Sequence, residues 1–291
     1  NMPKIQDVKT ACSILTELGV CVEWINDTCL KLHAPKNLTY SVPSQILCSK
    51  IRASILLLGP LLSRFGKVKL PLPGGDIIGA RRIDTHFEAI KALGGNITLH
   101  NQIEASITHI RGTQIFLDEP SVTATENTIL LAVLAQGTTN IYNAACEPHI
   151  SGLCKLLCQM GAKIEGIGSN YLKITGVSSL GGTQYSISPD FMELGSFLCL
   201  GAIACEELTI KNTNPADLKF ILHSLKRIGI CPEITENSLH IKGCSLNMKQ
   251  DIGTQIGKIY SGPWPAFPTD LMSVAIIAAT QAKGTMLFHE K

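Results

Sequence analysis

The sequence predicts an α/β (α+β) fold built from repeated units of about 70 residues, on three observations. An amphipathic helix that stops at a small residue and runs into a short strand occurs four times; its glycines, at 19, 94, 161 and 229, are spaced 75, 67 and 68 residues apart. A second phrase interleaves with it: a helix of small residues, a glycine or polar turn, then a β-branched strand. Several helices are apolar nearly all round, so they need cover on several sides that one unit cannot provide.

In chain order, the first phrase is Thr16-Glu17-Leu18-Gly19-Val20-Cys21-Val22, then Lys91-Ala92-Leu93-Gly94-Gly95-Asn96-Ile97. It returns as Cys158-Gln159-Met160-Gly161-Ala162-Lys163-Ile164 and as Lys226-Arg227-Ile228-Gly229-Ile230-Cys231. Each numbered glycine stands where a helix closes in the left-handed region, which glycine adopts without steric cost. The second phrase predicts helices over 52–65, 126–136, 193–206 and 270–283, each running into a strand. The apolar stretches 51–62 and 197–205 are expected to be buried on several sides. Alternating strands and helices imply sheets with one face covered. Pro189-Asp190 marks a domain boundary, giving residues 1–188 and 189–291.

Composition narrows the function classes. With 45% hydrophobic and 16% charged residues, the 291-residue chain can bury a core, which excludes disorder. A net charge of +2 and 5% aromatics exclude a basic, base-stacking nucleic-acid surface. The longest apolar runs, 55–62 and 274–279, fall well short of the ~18 residues that span a bilayer. No basic start leads into a hydrophobic segment, so the expectation is a soluble cytoplasmic protein without a membrane partner. Eleven cysteines form no C-x-x-C pair. Cys154 and Cys158 share a helix face, but only His149 stands near, so buried reduced thiols are expected and no metal or cofactor. The chain opens Asn1-Met2-Pro3 and stops at His289-Glu290-Lys291 inside an apparent strand, so a fragment is expected. Nothing in the sequence sets an oligomeric state.

Three segments carry chemistry. Leu72-Pro73-Gly74-Gly75-Asp76-Ile77-Ile78-Gly79-Ala80-Arg81-Arg82-Ile83-Asp84-Thr85-His86 is a glycine-rich loop holding a carboxylate and two guanidinium groups. Guanidinium suits phosphate or carboxylate, and a carboxylic acid beside it can deliver a proton when a loop closes. A solvated turn explains the composition equally well. Asp84 is expected to cap the helix starting near Thr85. In Ser49-Lys50-Ile51-Arg52-Ala53-Ser54, Arg52 opposes the helix dipole unless an anion binds there or it caps a neighbouring carbonyl. In Pro263-Trp264-Pro265-Ala266-Phe267-Pro268-Thr269-Asp270-Leu271, Asp270 reads most simply as an N-cap, with general base as the chemical alternative. The acids of Ser188-Pro189-Asp190 and Ala124-Thr125-Glu126 read as further helix starts.

Together these motifs resemble one family. Lys50-Ile51-Arg52-Ala53-Ser54-Ile55, Leu72-Pro73-Gly74-Gly75 with Ile78-Gly79-Ala80-Arg81, Pro120-Ser121-Val122-Thr123-Ala124-Thr125-Glu126 and Pro265-Ala266-Phe267-Pro268-Thr269-Asp270 are similar to the UDP-N-acetylglucosamine enolpyruvyl transferases (1-carboxyvinyltransferases), end to end. The resemblance implies βαβαββ units in an inside-out α/β barrel of two domains, residues 1–188 lacking the start of the first and 189–291 being only part of the second, with the active site in the cleft between them. It also implies a cofactor-free addition–elimination between phosphoenolpyruvate and the 3′-hydroxyl of the nucleotide-sugar, the first committed step of peptidoglycan synthesis.

By the resemblance, Asp76 is the proton donor, where most members carry cysteine, and its place there removes the thiolate that fosfomycin alkylates. Asp270 is the candidate base and contacts the sugar hydroxyl. Arg52, Arg81, Arg82, Ile83, Asp84 and Thr85 hold substrate, as do Glu119, Pro120, Ser121 and Val122. Arg82 replaces a usual proline, Thr85 a leucine and Glu119 a lysine. The expected alternatives are a non-catalytic substrate-binding relative, a 5-enolpyruvylshikimate-3-phosphate synthase-like transferase, and a purely structural repeat protein.

Overall fold

A computed structural model describes residues 1–75, 82–243, 245–253 and 255–290. The chain divides into two compact units, Asn1–Ile187 and Ser188–Lys291, each with its own apolar core.

The first unit opens with α1 (Gln6–Glu17), the antiparallel hairpin of β1 (Cys21–Asn26) and β2 (Cys29–His33), and the short helix α2 (Gln45–Cys48). The helix predicted over 52–65 is broken. A 3₁₀ turn, Arg52–Leu57, precedes α3 (Leu58–Phe65). Pro60 has no N–H to give to the carbonyl four residues back, which disfavours one continuous α-helix. β3 (Lys67–Pro71), α4 (Asp84–Ala92), β4 (Asn96–Leu99) and β5 (Gln102–Ser106) follow, with antiparallel sheet order β3-β5-β4. Residues 114–175 spell βαβαββ: β6 (Gln114–Phe116), α5 (Val122–Ala132), β7 (Thr138–Tyr142), α6 (Pro148–Gln159), β8 (Lys163–Glu165) and β9 (Tyr171–Thr175). Their order is β6-β7-β9-β8, with only β6 and β7 parallel.

The second unit repeats the pattern. It comprises α7 (Phe191–Ala204), β10 (Glu207–Lys211), a 3₁₀ turn (Pro215–Leu218), α8 (Lys219–Leu225), β11 (Glu233–Ile234) and β12 (Ser238–Lys242), ordered β10-β12-β11. β13 (Gly257–Tyr260), a 3₁₀ turn (Thr269–Leu271), α9 (Met272–Thr280) and β14 (Met286–His289) complete it, with β13 parallel to β14. Gly19, Gly94, Gly161 and Gly229 have φ of +85°, +96°, +106° and +100°, the left-handed helix ends that their spacing predicts.

The centre of the first unit is helical. α5 buries Ala124, Thr125, Asn127, Thr128, Ile129, Leu131 and Ala132 and packs on α3, α4 and α6. Ile129 and Leu131 are wholly buried, each stabilising the fold by roughly 1.5–3 kcal/mol.

Several expectations need correction. α5 starts at Val122, not Glu126, because the Ser121 hydroxyl accepts from the Ala124 amide at 3.4 Å and caps it there. The helix over 197–205 is not covered all round: α7 leaves Phe197 and Leu200 exposed while burying Leu198, Cys199 and Ala202. The ten described cysteines are free thiols, but only Cys12, Cys48, Cys154 and Cys199 are buried; Cys21, Cys29 and Cys231 are exposed. Among the described residues no helix is long and apolar enough to cross a membrane, and no three side chains group as metal ligands.

Candidate active site

The candidate site residues of the first unit lie on two strips and one turn. Ser54 shapes the turn: its buried hydroxyl lies 2.9 Å from the Ile51 carbonyl and 3.0 Å from the Cys48 carbonyl. Arg52 leads that turn and donates from Nη2 to the Arg82 carbonyl at 3.1 Å. The carbonyl-capping reading of Arg52 is thus met, by a residue on the far side of the loop.

The glycines of that loop are required by proximity. The Gly74 amide donates to the Cys48 carbonyl at 3.1 Å, and a Cβ on Gly74 would stand 1.6 Å from the Ser49 carbonyl oxygen. Gly75, at φ +95°, has its Cβ direction 3.1 Å from the Arg52 amide nitrogen. The loop therefore leaves its strand pressed against the turn that carries Arg52. Asp76 and Arg81 lie outside the described residues.

Beyond them the first strip, 82–85, meets the second, 118–122. Arg82 pairs with Asp84, Nε lying 3.0 and 3.1 Å from its oxygens and Nη2 also in contact. Nη2 reaches Asp118 Oδ2 at 2.7 Å, and Nη1 stands 3.8 Å from Glu119. The Thr85 hydroxyl donates to Asp118 Oδ1 at 2.9 Å; its one proton leaves Glu119, at 3.4 Å, as the longer neighbour. The Arg82 guanidinium beside Asp84 holds that carboxyl below the usual range. The Thr85 hydroxyl, then Arg82, does the same for Asp118. Asp84 does not cap α4 as expected: it is the helix's first residue, its cap position is Ile83, and its carboxylate is committed to Arg82. Pro120, Ser121 and Val122 continue the second strip into α5, with Ser121 spent as the cap.

Behind the strips lies a buried polar chain that sequence reasoning missed. The Asn127 side chain accepts from the Gly59 amide at 2.8 Å and donates to the Ile55 carbonyl and His86 Nδ1, each at 3.0 Å. His86 Nε2 is 3.1 Å from the Thr123 hydroxyl. Burial, reinforced by the Arg52 charge, pushes the His86 pKa down to about 4. Thr123 and Asn127, four apart on a helix of small and apolar residues, were the available signal. Asp118 carried none beyond adjacency to Glu119. Nearby, burial and then Glu147 push Glu126 up to about 7, and burial raises Glu147 as well.

Asp270 belongs to the second unit. It sits exposed in the Thr269–Leu271 turn, whose cap position, Pro268, has no side-chain cap bond, so the N-cap reading fails. The approach is held by the buried Phe267 and by Trp264, whose ring lies 5.3 Å from Phe191 and 5.4 Å from Phe220.

The chain is similar to known proteins in sequence and in fold. The family model described as EPSP synthase (3-phosphoshikimate 1-carboxyvinyltransferase) matches residues 1–291. UDP-N-acetylglucosamine 1-carboxyvinyltransferase of Borreliella burgdorferi is 47% identical over 293 residues, which covers 100% of this chain and 68% of that one. The proteins of the same name from Treponema denticola and Bradyrhizobium diazoefficiens are 45% and 43% identical over 292 residues, each with the same coverage. In structure, the enolpyruvyl transferase NikO from Streptomyces tendae superposes with a TM-score of 0.84 at 18% identity, over 99% of this chain and 68% of that one. EPSP synthase from Acinetobacter baumannii gives 0.68 at 19%, over 96% and 64%, so both support the fold alone. With a family model matched along its whole length and relatives of 43–47% identity, the chain belongs to the EPSP synthase (3-phosphoshikimate 1-carboxyvinyltransferase) family.

Proposed function

We propose that this protein transfers the enolpyruvyl group of phosphoenolpyruvate to the 3′-hydroxyl of UDP-N-acetylglucosamine and releases phosphate. The observation that carries the reading is the 41–47% identity, along the full chain, to transferases named for that reaction. In this reading Asp76 protonates the methylene carbon of phosphoenolpyruvate, and Asp270 takes the proton of the attacking hydroxyl. Phosphate then leaves the tetrahedral adduct. Arg52 and Arg81 hold the anionic groups, and the strips from Arg82 to Thr85 and Glu119 to Val122 hold the nucleotide-sugar. Asp270 is exposed and, among the described residues, takes no hydrogen bond or ion pair, which leaves its carboxylate available as a base. Both substrates are small cytoplasmic metabolites, so the protein works in the cytoplasm, at the entry to cell-wall synthesis. Lacking the loop thiol, it resists covalent modification by fosfomycin.

The test is phosphate release from phosphoenolpyruvate with and without UDP-N-acetylglucosamine. Release that needs both substrates and is abolished by Asp76→Asn supports the reading. Release that survives that change removes Asp76 as the acid. A second reading, a binding relative that does not turn over, is favoured by the three carboxylates gathered round Arg82. Binding of the nucleotide-sugar without any release of phosphate would select it.

A further inference from the structure

We propose that Asp118 is a positioning residue for the nucleotide-sugar, clamping the 82–85 strip to the 118–122 strip so that the two keep a fixed separation. The proposal rests on the transferase reading above.

The clamp uses both oxygens of one carboxylate. Oδ2 takes the Arg82 guanidinium at 2.7 Å and Oδ1 takes the Thr85 hydroxyl at 2.9 Å, so the strip is gripped at two points, one just before α4 and one in its first turn. Two points fix orientation as well as distance. Arg82 is itself pinned from two further directions, by Asp84 on its guanidinium and by Arg52 on its carbonyl. Arg52 is thereby joined to the clamp through the backbone of residue 82.

Glu119 joins the same cluster, 3.8 Å from Arg82 Nη1 and 3.4 Å from the Thr85 hydroxyl. A side chain without charge at 82 would leave Asp118 and Glu119 facing each other without this cation, and one without a hydroxyl at 85 would remove the Thr85 tie to Asp118.

The energetics point to geometry rather than stability. Arg82 and Asp118 are about half exposed, where an ion pair contributes little to folding. What such a pair can do is hold two segments in register, which matters where a ligand must touch both. It also commits Arg82: a guanidinium shared among three carboxylates is not available to the diphosphate.

The experiment titrates UDP-N-acetylglucosamine into the protein, Asp118→Asn, Arg82→Gln and the double variant, with substrate kinetics alongside. Each single change is expected to weaken nucleotide-sugar binding about tenfold, with the loss falling on KM rather than kcat, and the double change should weaken it by no more than about the same factor, because one clamp is lost in all three. Thr85→Val should cost about threefold and Thr85→Ser nothing, which separates the hydroxyl tie from bulk. Unchanged affinity in Asp118→Asn, or additive losses of about a hundredfold in the double variant, would overturn the clamp. If Asp118→Asn fails to fold, the Thr85 pair decides by the same criterion. Absence of nucleotide-sugar binding by the unaltered protein overturns the transferase reading and the clamp together, and is read separately from any variant.

Discussion

Asn127 donates from Nδ2 to Nδ1 of His86 at 3.0 Å, and this bond fixes the tautomer of a buried imidazole. The Gly59 amide can only donate, so the atom it meets on Asn127 is the carbonyl oxygen. The amide nitrogen then has two hydrogens, one for the Ile55 carbonyl and one for His86. Nδ1 must therefore offer a lone pair, and Nε2 carries the proton toward Thr123. A second proton on the ring would point at the Asn127 amide hydrogens, in a buried site that already faces the charge of Arg52.

That arrangement sets a pH dependence with a definite sign. His86 titrates at about 4 in the folded protein and at about 6.5 when unfolded, so folding favours the neutral ring. Its contribution is complete above pH 6.5 and is lost as pH falls toward 4, up to about 3 kcal/mol. Urea unfolding at pH 7 and pH 4.5 should show the protein losing about 2 kcal/mol more stability than His86→Gln, most of that total. Equal losses would mean that the histidine is not held neutral.

Glu126 acts in the opposite direction. Its carboxyl is raised from 4.5 to about 7 by burial and by Glu147, so the folded state holds the extra proton. The stability this contributes is complete below about pH 4.5 and is lost as pH rises through 7. Glu126→Gln should therefore gain about 1–3 kcal/mol on the parent between pH 5 and pH 8, read as a rising difference in urea midpoints. A constant difference across that range would show that Glu126 ionises freely in the fold.

How far the sequence reaches depends on whether a feature has a local cause. Gly19, Gly94, Gly161 and Gly229 were legible because a left-handed helix end needs a residue without Cβ at that very position. The alternation of helices and strands followed from the same spacing. The start of α5 was misplaced by four residues because Glu126 drew the reading past Ser121, the residue that makes the cap. Asp270 looked like a cap for the same reason, a polar side chain before an apolar helix, but the turn after Pro268 leaves it uncommitted. All-round apolarity in α7 could not say which side is covered. Asp118 and the His86–Asn127 chain were out of reach because their partners lie 33–72 residues away in sequence.

Gly74 tests whether the loop must lie against the Arg52 turn. Any side chain there meets the Ser49 carbonyl at 1.6 Å, a distance that rotamer choice cannot relieve, so the backbone must move. Gly74→Ala should cost roughly 1–3 kcal/mol in unfolding and weaken phosphoenolpyruvate binding along with it. A variant as stable and as tight as the parent would show that the close approach is dispensable.

Asp76 offers the sharpest chemical test, because aspartate and cysteine differ in nucleophilicity more than in size. In the transferase reading either residue can donate a proton to the methylene carbon, but only a thiolate opens the fosfomycin epoxide readily. Asp76→Cys should therefore retain phosphate release and acquire time-dependent inactivation by fosfomycin, with one added inhibitor mass on residue 76 by peptide mass spectrometry. The unaltered protein should show neither inactivation nor adduct. An adduct at one of the exposed cysteines, Cys21, Cys29 or Cys231, would not count, since no substrate site is assigned there. Inactivation of the parent protein through a bond to Asp76 itself would reverse the assignment, because the carboxylate would then be acting as the nucleophile that the proposal denies it to be.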